Sequence, residues 1–166
     1  MKEFFAKPCV GAIIERIIEN ETYILVQTRE KTDGGNTNGL LELPAGKIRE
    51  YEDIFSALRR EVWEETGLTL TKIKGEESAI SLKASSIPTI SFEPFCITQN
   101  LSGAYSIILN TFLCEAEGTP VTHTNESRNI HWMEAHKLCQ ITKRNPEQIF
   151  FIHLGALRKY FKLLKE

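Results

Sequence analysis

The sequence predicts an α/β (α+β) domain, and three observations carry that prediction. Runs rich in β-branched and aromatic residues recur between Cys9 and Met133, apolar residues at helical spacing over Asp53 to Glu65 stop at Gly67, and a second helical spacing occupies Pro146 to Leu164. The chain has 166 residues, 42% of them apolar and 25% charged, which fits one soluble domain over residues 1–166 and excludes disordered and fibrous classes. It contains no internal repeat, no low-complexity tract and no dividing linker.

Cys9 to Ile18 and Tyr23 to Thr28 read as an antiparallel hairpin turning at Glu19-Asn20-Glu21-Thr22. Lys31 to Gly39 (KTDGGNTNG) is a polar, glycine-rich loop that either connects or faces a ligand. The helix over Asp53 to Glu65 places Ile54, Phe55, Leu58 and Val62 on a side that docks onto a sheet. Leu68 to Ile80 and Thr89 to Thr98 read as strands, and residues 99–103 join the second to a strand from Ala104 to Ala116. After a loop at residues 117–120 and a short strand from Asn129 to Met133, the last helix starts with Asn145 as cap and Pro146 in its first turn. Its Arg158, Lys159, Lys162 and Lys165 form a solvated face.

The most informative segment is GKIREYEDIFSALRREVWEETGL, residues 46–68. Like charges three or four positions apart destabilise a helix by a few tenths of a kcal/mol per pair, and Glu61, Glu64 and Glu65 form such a set with only Arg60 alongside. At about 100° per residue the three carboxylates fall within an arc of about 100° on one side of the helix. Hard oxygen donors gathered in this way suit Mg²⁺ or Mn²⁺, ions that hold phosphate groups. Metal-assisted phosphate chemistry is the reading this pattern supports, against that of a merely solvated acidic face.

The spacing is that of a Nudix box, G-x5-E-x7-R-E-U-x-E-E-x-G-U with U a bulky aliphatic. Gly46, Glu52, Arg60-Glu61, Val62, Glu64-Glu65, Gly67 and Leu68 meet every specified position. The resemblance extends upstream through Leu43-Pro44-Ala45 and downstream to the strand around Trp132. It implies a Nudix-type α/β/α sandwich with a mixed sheet between helices. It also implies hydrolysis of a nucleoside diphosphate linked to another group X, by attack of water on a phosphorus of the diphosphate bridge.

The resemblance assigns metal ligation to Glu61, Glu64, Glu65 and the Ala45 carbonyl just before Gly46, a glycine that lets the chain approach the metals without a Cβ. Mg²⁺ is the implied cofactor, with Mn²⁺ as its substitute. Arg60 is expected nearly opposite the centre of the ligand cluster, unsuited to contact the metals, and pairs by resemblance with Glu52 to brace the loop. Glu126, six residues before Trp132, lies where some members keep a further catalytic carboxylate, with Glu115, Glu117 and Glu93 as rivals for the base. Arg29, at the end of the second strand, either holds a phosphate or carboxylate of the substrate or stays on the surface. Alanine at position 45 recurs among relatives acting on ADP-ribose, but this chain has no proline between the box and Pro88, where those relatives commonly carry one.

The formal net charge of -2 provides no field for long RNA or DNA, so the expected partner is a nucleotide-type small molecule. A nucleotide sensor without turnover and an RNA 5′-pyrophosphohydrolase are the alternatives. Four scattered cysteines (Cys9, Cys96, Cys114, Cys139) with no metal-ligand spacing read as reduced thiols of a cytoplasmic protein. No signal peptide or membrane span is read, and the expected assembly is a monomer or homodimer.

Overall fold

The computed structural model describes residues 3–32 and 35–164; Asp33 and Gly34 of the glycine-rich loop, and Lys165 of the basic face, lie outside these. Among the described residues ten strands and three α-helices follow one another as β1 (Lys7–Ile18), β2 (Glu21–Arg29), β3 (Leu41–Glu42), β4 (Ala45–Lys47), α1 (Ile54–Thr66), β5 (Thr69–Ile73), β6 (Ile80–Ala84), β7 (Ile87–Ser91), β8 (Cys96–Gln99), β9 (Ile107–Glu117), β10 (Ser127–Glu134), α2 (Ala135–Arg144) and α3 (Leu154–Leu163). The sheet runs β10-β2-β1-β9-β5, with β3 added to β2, β4 to β1 and β8 to β9. β1 and β9 are parallel and the other pairs antiparallel, so the sheet is mixed.

The alternation of β1 and β2 builds two cores. Val10, Ala12, Ile14 and Leu25 face α1 and pack with Phe55, Leu58, Val62 and Phe112, whereas Ile13, Ile24 and Val26 face α2 and α3 and pack with Leu138, Leu157 and Tyr160. Helices therefore cover both faces of the sheet, the sandwich that the sequence implies.

Local chemistry explains where the element boundaries fall. The β1–β2 hairpin turns at Glu19 and Asn20, both at positive φ, so β2 starts two residues earlier than the four-residue turn anticipated. Asp53 caps α1 by accepting from the Phe55 and Ser56 N–H groups at 3.0 and 2.9 Å, and Gly67 ends the helix at φ 72°. The long strand expected over Leu68 to Ile80 stops at Ile73. The one expected over Thr89 to Thr98 breaks around Pro94, leaving β6 and β7 as a separate hairpin turning at Ser85-Ser86.

Two helical expectations need correction. α2 was not read, because Glu134 at its start makes no side-chain capping bond. The continuous helix expected from Pro146 is instead two 3₁₀ turns (Pro146–Gln148 and Phe151–His153) followed by α3. The Phe150 N–H donates to the Leu41 carbonyl at 2.8 Å, so tertiary pairing with β3 pulls this segment out of helical geometry. No helix among the described residues is long and apolar enough to cross a membrane.

Candidate active site

β4 and α1 form the frame of the site. Gly46 lies opposite Val10 of β1, and a Cβ at Gly46 would push the Glu61 carboxylate aside, so glycine lets that carboxylate lie against the β4 backbone. Glu65, only 6% exposed, accepts from the Ala45 backbone N–H and from Gln27 Nε2, both at 3.0 Å. Burial raises its pKa to about 8; nearby Lys31 opposes that rise and Glu42 adds to it.

Behind Glu65 lies a buried polar network. Gln27 Nε2 gives its second hydrogen to Ser127 Oγ at 2.7 Å, and the Ser127 hydroxyl donates on to Glu42 at 3.4 Å, while Gln27 Oε1 has no partner. Glu42 is raised by burial, which the Arg29 guanidinium at 3.1 Å counteracts. Arg29 is itself buried and stacks over the Phe150 ring, 4.2 Å from its centroid. Lys31 Nζ pairs with Glu126 and stands 3.9 Å from Glu65. Burial works against its charge, but Glu65 and Glu126 outweigh that and hold its pKa above the ordinary lysine value.

Arg60 reaches further into the carboxylate cluster than expected. It grips Glu52 through Nε at 2.7 Å and Nη2 at 2.8 Å, which is the expected brace, and this hydrogen bonding lowers the Glu52 pKa to about 2. Its Nη1 also donates to Glu61 at 2.6 Å and to Glu64 at 3.2 Å. The reason is helical geometry: Arg60 lies about 90° from the centre of the glutamate arc and next to Glu64, not opposite them.

A cleft of about 490 Å³ opens beside these groups; of the box glutamates Glu61 lines it, and Glu64 and Glu65 do not. Its walls include Gly46, Glu61, Lys31, Lys47, Arg29 and Glu126 together with the apolar residues Ile107, Phe150 and Ile152. Glu126, whose side chain is 56% exposed, lines the cleft, whereas its rivals Glu93, Glu115 and Glu117 do not. Glu115 instead pairs with Lys72 across β5 and β9 at 3.7 Å.

The family model of the NUDIX domain matches residues 7–154. The chain belongs to the Nudix family. It is a hydrolase acting on acid anhydrides in phosphorus-containing compounds. Among solved structures, the Nudix chain is similar to the NUDIX domain of Shewanella oneidensis NrtR complexed with ADP ribose, at 15% identity and TM-score 0.69, over 96% of this chain and 89% of that one. It is similar to the MutT protein of Methanosarcina mazei Go1 at 18% identity and TM-score 0.67, over 100% of both chains. It also resembles a C. elegans Ap4A hydrolase at 16% identity and TM-score 0.56, over 96% and 98%. Comparison with curated proteins finds no match.

Within this Nudix chain two carboxylates beside the Ala45-Gly46 backbone are donors of the kind a hard divalent cation takes: Glu61, which a Cβ at Gly46 would displace, and Glu65, bonded to the Ala45 N–H. No group of three or more Asp, Glu, His or Cys side chains among the described residues converges closely enough to form a ready-made cage. Arg60 and Lys31 stand against the carboxylates, where positive charge is needed. Gln27, Lys31, Ser127 and His153 were missed from the sequence. Gln27 had a signal in principle, a polar residue at an inward position of an otherwise apolar strand.

Proposed function

We propose that this Nudix hydrolase is a Mg²⁺-dependent pyrophosphohydrolase that cleaves the diphosphate linkage of a nucleoside diphosphate joined to another group, such as a nucleotide sugar, an ADP-ribose-like compound or a nucleoside triphosphate. One observation carries the reading. Glu61 and Glu65 are fixed against the Ala45-Gly46 backbone, by contact and by a hydrogen bond, beside a cleft that also presents Lys31 and Lys47.

Glu61, Glu64, Glu65 and the Ala45 carbonyl would hold the cation, with Mn²⁺ as its substitute. A divalent ion held there would supply positive charge against the diphosphate and lower the pKa of a water beside it. Water then forms a new P–O bond as the bridging P–O bond breaks, and its proton passes to a carboxylate. Glu126 fits this last role because it is the exposed carboxylate of the cleft. Lys31 and Lys47 oppose the charge of the phosphates, and Arg60, held by Glu52, braces β4, which carries Ala45 and Gly46, through the Lys47 carbonyl. ADP ribose, bound in one neighbour, and Ap4A, for which another neighbour is named a hydrolase, are of the proposed substrate class.

A nucleotide sensor without turnover is the second reading, favoured by Arg60 and Lys31 already engaging the carboxylates. Hydrolysis of a nucleotide panel with Mg²⁺, Mn²⁺ or excess chelator, with products identified by mass, decides between them. Metal-dependent release of two phosphorylated products is expected. Full turnover in chelator would sink the metal assignment, and nucleotide binding without cleavage would leave the sensor.

A further inference from the structure

Away from the cleft, β6 and β7 form a two-stranded hairpin that no other strand joins among the described residues. Two strands alone are marginally stable in water, so the order of such a hairpin depends on what holds it. Its root is held by the box helix. The Arg59 guanidinium of α1 donates to both Glu76 carboxylate oxygens at 2.7 Å, and Ala79 and Ile90 pack against the core beneath α1. At the tip Ser85 and Ser86, both at positive φ, make the tight two-residue turn whose twist matches the strands. The hairpin is therefore a fixed projection, and none of its residues lines the cleft.

The strand register sorts its side chains onto two faces. Ser81, Lys83, Pro88 and Ile90 lie on the face that returns to the core, and Ile80, Leu82, Ala84, Ile87, Thr89 and Ser91 lie on the opposite one. The amphipathic order is inverted: the face turned away from the core carries Ile80, Leu82 and Ile87, exposed by 58%, 59% and 65%, and no charge. Single exposed apolar residues are ordinary, but three grouped on one uncharged face form a patch of the kind that marks an interface.

The edges of the hairpin argue that a partner meets this face. A two-residue turn makes Ala84 and Ile87 a hydrogen-bonded pair, so Lys83 and Pro88 beside them turn their peptide groups outward to the two edges. Pro88 has no N–H to offer there, and Lys83 sets a charge on the β6 edge; both devices discourage addition of a further strand. An added strand would also leave the apolar face open.

A second copy of this chain fits the face. In an isologous pair one patch meets itself, so any charge on it would meet its own like. The one charge of the hairpin, Lys83, stands on the reverse face, and the smaller Ala84, Thr89 and Ser91 leave room for the large side chains of the other copy to interdigitate. A leucine or isoleucine presents on the order of 100 Å² of apolar surface when open, so these three side chains from each copy bury a few hundred Å², below the roughly 1,200–2,000 Å² of stable interfaces. The contact suits a reversible dimer and not a permanent one.

We propose that the outward face of the β6–β7 hairpin is a self-association surface, on which two copies of this chain pack face to face around Leu82 as a closed, reversible dimer.

Sedimentation equilibrium of the full chain tests this. The average mass should rise from that of one chain toward that of two as the concentration passes through about 10–100 µM. Leu82→Lys, which sets like charges face to face, should hold the protein monomeric throughout, and Ile87→Thr, which keeps a β-branched side chain, should weaken association about tenfold. Ser81→Lys, on the reverse face, should associate as the wild type does. Circular dichroism checks that each variant folds, and should Leu82→Lys fail to fold, Ile87→Thr and Ser81→Lys still decide. A monomer up to about 500 µM, a dimer that survives both Leu82→Lys and Ile87→Thr, or association lost in Ser81→Lys would overturn the proposal. So would growth beyond two copies, which a closed pair excludes.

Discussion

Glu65→Gln should separate stability from activity. Glu65 is buried and its pKa stands at about 8, against an ordinary value of 4.5, because burial opposes its charge. A carboxyl whose folded pKa is raised contributes fully below its unfolded pKa and loses that contribution as pH rises toward the folded value. Each pH unit across this window amounts to about 1.4 kcal/mol, so by pH 7 the wild-type protein has lost about 3 kcal/mol that a neutral glutamine retains. The glutamine oxygen can still accept from Gln27 and the Ala45 N–H, which both meet Glu65 Oε2. For a domain of this length about 3 kcal/mol corresponds to roughly 6–12 °C in Tm. Thermal unfolding in chelator should therefore show the variant nearly level with wild type at pH 5 and ahead by that margin at pH 7. Its kcat with Mg²⁺ should fall about a hundredfold or more, through loss of a charged ligand. A Tm at or below wild type at pH 7 would refute the argument from burial, and retained activity would refute the ligand assignment.

Three further outcomes follow from the same geometry. Gly46→Ala should cost about a hundredfold in kcat, because its methyl displaces the Glu61 carboxylate, and circular dichroism should show the fold retained. Arg60→Ala should destabilise by about 2 kcal/mol in urea titration, by breaking a two-point bond to Glu52. It should also abolish the Glu52 contribution that wild type keeps above pH 4.5 and loses as pH falls toward 2. Glu126→Gln should lower kcat about a hundredfold and remove the acidic limb of the rate profile, with Glu115→Gln and Glu117→Gln near wild type; three unchanged profiles would mean that the box glutamates act without it.

The box helix, its caps and its carboxylate face were legible because they depend on local spacing: Asp53, Gly67 and the i, i+3, i+4 glutamates all act within a few turns. The β1–β2 hairpin was legible for the same reason. What escaped was set by distant contacts. The parallel pairing of β1 with β9 joins residues about a hundred positions apart, and the break at Phe150 exists only because Leu41 offers it a carbonyl. The β6–β7 turn uses Ser85-Ser86 where Asn-Gly would have announced it. Within the site, Arg29 was legible as a cation near the cleft, but not as one neutralised by Glu42, since that partner reaches it through the β2–β3 pairing.

That pairing also explains why the site occupies this end of the sheet. On β2 every second side chain points toward the face that carries α1. Leu25 fills that face with the apolar core, but the next two positions of the stripe are Gln27 and Arg29. Directly across from Gln27, β3 presents Glu42, and the last turn of α1 brings Glu65 to the same amide. Apolar residues at Gln27 and Arg29 would have extended the core but left buried Glu65 with the Ala45 N–H and buried Glu42 with the Ser127 hydroxyl as their remaining donors, a costly loss for two buried carboxylates. The polar break in the stripe and the acidic end of α1 therefore depend on each other. Gln27 fixes Glu65 from behind while the Ala45 N–H fixes it from the side, so a glutamate on a helix is oriented by two strands of the sheet. Rigid support of this kind is what a phosphate-cleaving centre needs, because a displacement of about 1 Å in a ligand can cost about a hundredfold in rate.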